Sequence, residues 1–383
     1  MYNGFLKRPN DPPAATFLLG FDSVPIRAEK SLYDLAMWAR QQGELAEYLG
    51  HTSGKDIAAA YEGQSSPIAD TGVWQEFCRR LGEHLRHFGH AVYDLDFAKS
   101  VPAEDPASLL ETLKYFVAGQ GRNPHERQAE TAAAREKAAE AMLGRLGGLR
   151  LRLFRRILRW AQHWTPLREE ALADVGLGWP VLRRMLRELG RRMAAADGIA
   201  ERDDVFWLNR EEVEETVRAL DAGQPARDYR GAIEGRLETW KQAQSVTPPV
   251  ALPIKDPRIF GIDVTRWMPA RSSQAASNVI RGFGASPGRV TSAACVIHGP
   301  EEFDQMKPGD ILVAKITTPA WTPLFALASG IVTDVGGPLS HSSIVAREYG
   351  VPAVLGTGVA TQRIHSGQHI TVDGNGGVVT MGG

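Results

Sequence analysis

Near residue 246 the chain changes its pattern abruptly, and no single layer architecture accommodates both sides of the change. Before Phe283 lie 39 basic and 38 acidic residues and eight of the nine tryptophans. From Phe283 to Gly383 there are only 5 basic and 7 acidic residues, together with 16 of the 39 glycines. Charge-rich sequence with apolar residues every third or fourth position builds helices, whereas short Val/Ile runs punctuated by glycine build an α/β layer. The expected architecture is multidomain α plus α/β: a mostly helical domain over 1–245, a linker over 246–282 and a compact α/β domain over 283–383. A chain of 383 residues is long enough for two or three units with real cores.

Helical periodicity is plain in the first part. From Ser31 to Tyr48 the apolar positions Leu32, Leu35, Ala36 and Ala39 make one face. Glu126 to Leu146 is an Ala-rich helix former. Leu151, Phe154, Leu158 and Ala161 form a stripe with Arg152, Arg155, Arg156 and Arg159 off it, and Val181 to Ala195 repeats the pattern. Pro166 and Pro180 mark helix starts or kinks. Between Val246 and Gly282 the periodicity dissolves into Pro- and Ser-rich sequence that would span ~30 Å r.m.s. if wholly flexible. Beyond it, strands are expected at Ala294–Ile297, Asp310–Ala314, Gly330–Thr333, Ala353–Leu355, His369–Val372 and Gly377–Thr380, with helices at Trp321–Ser329 and His341–Tyr349.

Composition narrows the function. A net charge of −1 argues against a nucleic-acid binder. No run approaches ~18 uninterrupted apolar residues, so no membrane span is expected. The N-terminus lacks a signal-peptide apolar core, and two cysteines make no disulfide framework, so a cytoplasmic location is expected. Several motif-like stretches fail on their own chemistry. Gly284-Ala-Ser-Pro-Gly288 has the spacing of a hydrolase elbow, but Pro287 lacks the N–H that such a site uses. Gly50 to Lys55 is one residue short of a phosphate loop, with Asp56 where a Ser or Thr must bind magnesium. His365 and His369 are separated by a Ser-Gly turn, His84, His87 and His90 read as ordinary helix histidines, and no metal site is expected. The arginines from Arg145 to Arg159 read as a solvated or docking face.

One stretch carries chemistry: Asp334-Val-Gly-Gly-Pro-Leu-Ser-His341-Ser-Ser-Ile-Val-Ala-Arg347. It reads as a strand, a Gly-Gly turn, a Ser cap and an exposed histidine on the first turn of a short helix closed by Gly350. Free amides and the positive helix end converge there, a setting for phosphate, and glycine lets the backbone approach closely. An imidazole at that point can act as nucleophile toward phosphorus. The alternative on spacing alone is a histidine that merely occupies a helix start.

The stretch resembles the phosphohistidine swivelling domain of the phosphoenolpyruvate-utilising enzyme family. The resemblance runs from Gly284-Ala-Ser-Pro-Gly288 through Thr318-Pro-Ala-Trp-Thr-Pro-Leu-Phe325 to Val372-Asp-Gly374. It implies that His341 is transiently phosphorylated, with Gly336, Gly337, Ser340, Ser342 and Arg347 cradling the phosphoryl group. Leu339 stands where dikinases commonly carry Thr, which is similar to the rifampicin-phosphotransferase and phenylphosphate-synthase branches. The helical part is similar to that branch's substrate domain at Phe17 to Pro25, Ser31 to Ala36, Phe88 to Asp96, Leu167-Arg-Glu169 and Asp203 to Leu208, although Ala91 replaces an Arg common in relatives. That likeness implies acceptor-site roles for Arg168 and Glu169, with His163, Trp164 and Asp94 as further candidates and Trp207 as a second aromatic.

The resemblance implies a phosphotransferase, with no tightly bound cofactor on this chain. Mg2+ and ATP are expected on a separate ATP-grasp subunit, because neither an ATP-grasp domain nor a phosphoenolpyruvate-binding barrel is recognisable within the sequence. The expected acceptor is a hydroxyl of an aromatic or other hydrophobic small molecule. Rifampicin-type transfer and a non-catalytic phosphohistidine relay are the alternative expectations.

Overall fold

The computed structural model describes residues 6–8, 11–93, 96–244, 258–259, 262–263, 278–338 and 340–382. Two compact units emerge, one of residues 1–93, 101–175 and 266–383, the other of 94–100 and 176–265. The first unit thus holds both the N-terminal helices and the C-terminal α/β layer.

Its helices are α1 (Val24–Arg40), α2 (Gly43–His51), α3 (Gly54–Glu62), α4 (Thr71–Phe88), α5 (Ala107–Val117), α6 (Pro124–Arg145) and α7 (Gly148–Ala173). Leu32, Leu35, Ala36 and Ala39 of α1 are buried against Trp74, Phe77 and Leu81 of α4 and Leu110, Leu113 and Phe116 of α5. The single helix expected over Ser31–Tyr48 is two. The Gln41 and Gln42 amides donate to carbonyls three residues back, which tightens and closes α1. Pro166 neither starts nor ends a helix; α7 runs through it. Pro180 does lie in the first turn of α8 (Trp179–Ala195), which opens the second unit. That unit continues with α9 (Arg210–Asp221), α10 (Arg230–Gln244) and a two-residue pairing of β1 (Arg258–Ile259) with β2 (Ile262–Asp263). Its core is Met193, Ile199, Val205, Tyr229 and Ile233.

The α/β layer is an eight-stranded mixed sheet in the order β3 (Val279–Arg281), β10 (Val378–Met381), β9 (His369–Asp373), β5 (Arg289–Ile297), β6 (Ile311–Ala314), β7 (Gly330–Thr333), β8 (Ala353–Leu355) and β4 (Phe283–Ser286). The central β5–β6–β7–β8 pairs are parallel and the outer ones antiparallel. Strand period 2 divides the sheet's two faces. Cys295, Ile297, Leu312, Ala314 and Ile331 bury under α11 (Thr322–Phe325) and α12 (His341–Tyr349). Ala294, Val296, Ile311, Val313 and Val332 bury with Ala360 of α13 (Ala360–Arg363). The sheet begins at Val279, inside the segment expected as linker, and the antiparallel edge strand β4 was not expected at all. The nine-residue helix anticipated at Trp321–Ser329 is a 3-10 turn, Pro319–Trp321, followed by only four α-helical residues. Both prolines lie in first turns, where no N–H is needed, and the Ala326 and Leu327 amides donate three residues back, a 3-10 tightening that closes the helix.

Within this unit the sheet layer and the helices are joined by specific hydrogen bonds. Ser108 Oγ donates to the Pro300 carbonyl (2.8 Å) and Tyr115 to that of Met306 (2.7 Å). Thr318 Oγ1 donates to the Val92 carbonyl (2.6 Å) and Trp321 Nε1 to that of Tyr93 (2.9 Å). Arg127 of α6 forms a buried bidentate pair with Glu29 of α1, and its guanidinium carbon lies 3.6 Å from the ring centroid of Tyr349, on α12.

Candidate functional site

The site grows from the end of β7. After Thr333 the chain turns through Asp334 to Gly337, and Gly336 takes φ +151°, a conformation that L side chains rarely adopt. A Cβ there would also sit 3.3 Å from Leu355, Ser340 and Thr333 side-chain atoms, whereas one on Gly337 would meet nothing. Gly336 therefore needs to be glycine for the turn; Gly337 faces open space. Asp334 pins the turn by accepting from Thr357 Oγ1 (2.9 Å) and from the Ala360 amide.

Ser340 then caps α12. Its Oγ donates to the Gly337 carbonyl (2.9 Å) and accepts from the Ser343 amide (3.3 Å), while Ser343 Oγ donates to the same Gly337 carbonyl (2.8 Å). Gly350 closes the helix at φ +65°. This local frame agrees with the expectation; the setting of the histidine does not. His341 is not exposed at the helix start but 6% exposed, docked between two partners. Nδ1 lies 2.9 Å from Glu169 Oε2, and Nε2 lies 3.4 Å from Thr322 Oγ1. A carboxylate can only accept, so Nδ1 carries the hydrogen and Nε2 is left as the nitrogen with a lone pair.

Glu169 is itself 4% exposed and its other oxygen takes Arg168 Nη1 at 2.6 Å. The Arg-Glu pair of α7 and the histidine of α12, 172 residues apart in sequence, are thus brought together. Of the other expected residues, Ser342 is buried with its hydroxyl 2.8 Å from Thr317 Oγ1. Arg347 does not stand free for a phosphate: Nε donates to the Ala285 carbonyl and Nη2 to that of Pro338, each at 2.7 Å. Through these two bonds it fastens the Gly-Gly turn to β4. His163 and Trp164 are exposed, Trp164 by 52%, and pack on each other rather than toward His341. Trp207 packs edge-on against Trp240 in the second unit. Asp94 and Leu339 lie outside the described residues. Among the described residues no group of three His, Cys, Asp or Glu side chains is disposed to hold a metal, and no helix is long and apolar enough to cross a membrane.

Two contributors were not marked from sequence. Thr322 sits in the quoted Thr-Pro-Ala-Trp-Thr-Pro run, yet nothing in that run signals contact with His341. Glu348, next to the Arg127–Glu29 pair, accepts from the Gly20 amide (3.3 Å), and burial pushes its carboxyl up to about 7 despite that amide and Arg127; the Glu169 and Glu29 carboxylates add to the rise.

Comparison with known proteins agrees with this architecture. Residues 306–377 match the mobile domain of PEP-utilising enzymes, and residues 1–169 match the fourth domain of rifampicin phosphotransferase. The uncharacterized phosphotransferase YvkC of Bacillus subtilis (strain 168) is 31% identical over 82% of this chain and 37% of its own length. Rifampicin phosphotransferase of Streptomyces sviceus is 29% identical over 92% of this chain and 39% of its own. The prodigiosin synthesizing transferase PigC of Serratia marcescens is 32% identical over 75% and 31% respectively. The chain spans well under half the length of each of these relatives. The chain thus carries a PEP-utilising-enzyme mobile domain, whose α12 presents His341, and a helical part that matches the fourth domain of rifampicin phosphotransferase and meets that histidine with Glu169.

Proposed function

We propose that this chain is the phosphotransfer subunit of a split, ATP-dependent phosphotransferase of the cytoplasm. His341 takes a phosphoryl group on Nε2 and passes it to a hydroxyl of an aromatic or other hydrophobic acceptor held by the helical domain. The observation that carries this reading is the 2.9 Å contact between His341 Nδ1 and Glu169 Oε2, which orients the ring and leaves Nε2 as the reacting nitrogen. His341 is the first residue of α12, directly after the Ser340 cap, and a helix N-terminus favours a phosphate.

Loading takes place on a partner ATP-grasp subunit that holds ATP and Mg2+. In transfer, the acceptor oxygen forms its bond to phosphorus as the N–P bond breaks. The electron pair returns to Nε2, and the hydroxyl proton leaves to a base at the acceptor. Glu169 holds Nδ1–H throughout, and Arg168 balances the charge of the carboxylate and the arriving phosphoryl group. Because one histidine serves two places, the α/β domain moves between them.

Rifampicin-type transfer is the second reading, favoured by the match of residues 1–169 to the fourth domain of that enzyme. The test common to both is phosphohistidine formation. With the ATP-grasp partner and Mg-ATP, wild type is expected to acquire an acid-labile phosphoryl group, and His341→Ala to acquire none while keeping its melting temperature. Equal labelling of the two proteins would remove His341 from the mechanism.

A further inference from the structure

With Glu169 on Nδ1, a phosphoryl group on His341 projects from the Nε2 side, toward Thr322. Thr322 is also a wall of a cavity closed by α1, α4 and α5 on one side and the Pro319–Pro323 turn on the other. Its lining is largely apolar, with Ala28, Leu32, Phe88, Ala91, Tyr93 and Ala320 contributing. Most polar groups in the wall are already committed. Glu29 is held by Arg127, Ser108 Oγ donates to the Pro300 carbonyl, and Thr112 Oγ1 donates to that of Ser108.

Two can still meet a ligand. Thr322 Oγ1 has a long contact, 3.4 Å, with His341 Nε2, and buried His84 uses Nδ1 with Ser31 Oγ (3.0 Å) while its Nε2 makes no hydrogen bond among the described residues. Burial, with His87 adding to it, pulls the His84 pKa down to about 4, so the ring is neutral at pH 7. Ser31 Oγ can accept from Nδ1–H or donate to Nδ1, so Nε2 meets a ligand hydroxyl as acceptor in the first tautomer and as donor in the second.

We infer that this cavity is the acceptor pocket and that it takes a compact, single-ring or short-chain apolar alcohol or phenol, its hydroxyl between His84 Nε2 and Thr322. The inference rests on the reading of His341 as phosphocarrier and adds to it the place and size of the acceptor. A cavity of about 50 Å3 is several times the ~10–15 Å3 that one water occupies. It admits the edge of one ring, the rest lying in the open mouth, and excludes a macrocycle while the walls keep these positions. The predominance of apolar lining with a few convergent polar groups is the usual make-up of a small-molecule site. The exposed Trp164 and His163 on α7 then have no part in acceptor binding.

The test uses 4-fluorophenol as probe, followed by fluorine NMR on the full chain. Wild type is expected to bind it, Ala28→Leu to weaken binding at least tenfold by filling the cavity, and Trp164→Ala to leave it unchanged. Ala320→Leu fills the opposite wall and stands in should Ala28→Leu misfold, as judged by circular dichroism and melting. No binding by wild type, binding indifferent to both cavity-filling changes, or binding lost in Trp164→Ala would each overturn the pocket. Phosphohistidine labelling is measured separately on the same proteins. A chain that takes label but does not bind the probe refutes the pocket alone, and one that binds without ever taking label refutes the carrier reading.

Discussion

Glu169→Gln isolates the charge of the residue that meets the histidine. The amide keeps the size of the carboxylate, and its oxygen can still accept from His341 Nδ1–H, so the ring orientation and tautomer should survive. What disappears is the charge assistance. A hydrogen bond to an ionised group is worth about 1.5–3 kcal/mol against about 1 kcal/mol for a neutral one. The pair is nearly dry, with both residues under a tenth exposed, so solvent screens little of the difference. Positive character builds on the imidazole whenever the phosphoryl group sits on it, and stabilising that form is the task assigned to Glu169. Losing roughly 1–2 kcal/mol of that stabilisation raises the phosphorylated state, so Glu169→Gln should load less completely and release its phosphoryl group up to about 5- to 30-fold faster. Pre-phosphorylated chain mixed with phenol and quenched in alkali gives that rate in a single turnover. Nitrogen NMR of the imidazole gives the tautomer: Nδ1–H is expected in wild type and in Glu169→Gln, and a shift of hydrogen to Nε2 in Glu169→Leu. Transfer at the wild-type rate in Glu169→Gln, or an unchanged tautomer in Glu169→Leu, would refute the orienting role.

Glu348, raised to about 7 by burial, also makes stability depend on pH. A carboxyl whose folded pKa lies above its unfolded value binds more protons when folded, so stability falls as pH climbs from about 4.5 toward 7. Glu348→Gln should remove that slope and stabilise the protein at pH 8 by on the order of 1–3 kcal/mol, read from urea unfolding at pH 5 and 8; parallel slopes in the two proteins would count against it. Gly336→Ala should cost roughly 1–3 kcal/mol because it forces a side chain into φ +151°, whereas Gly337→Ala should be near neutral in a thermal melt. Arg347→Met, which removes two bonds to the Ala285 and Pro338 carbonyls, should destabilise by about 1–3 kcal/mol without abolishing phosphohistidine formation; complete loss of labelling in a folded variant would return Arg347 to the phosphate.

What the sequence determined by itself is whatever is set within a few residues along the chain. The Ser340 cap, the His341–Tyr349 helix and the left-handed Gly350 follow from side chains within one or two turns of each other, and the structure has all three. The buried face of α1 and the strands β7 and β8 likewise follow from periodicity, since an apolar run or stripe must find a core whatever its partner. The two edge strands that open the sheet were not legible, for the opposite reason. Val279–Arg281 and Phe283–Ser286 are short edge segments whose strand character comes from pairing with β10 and β8, far along the chain. The Trp321–Ser329 run reads as a helix by composition, but the Ala326 and Leu327 amides bond three residues back and the Ser329 amide is taken by the Asp310 carbonyl. The same limit applies at the site. Arg347 reads as a phosphate ligand by proximity in sequence, yet the carbonyls of Ala285 and Pro338 take it. Nothing local to Glu169 says that its carboxylate, rather than that of Glu170 one residue on, turns inward. That choice depends on which face of α7 lies under α12, and it is tertiary packing that seats Glu169 on His341 and leaves Trp164 in solvent.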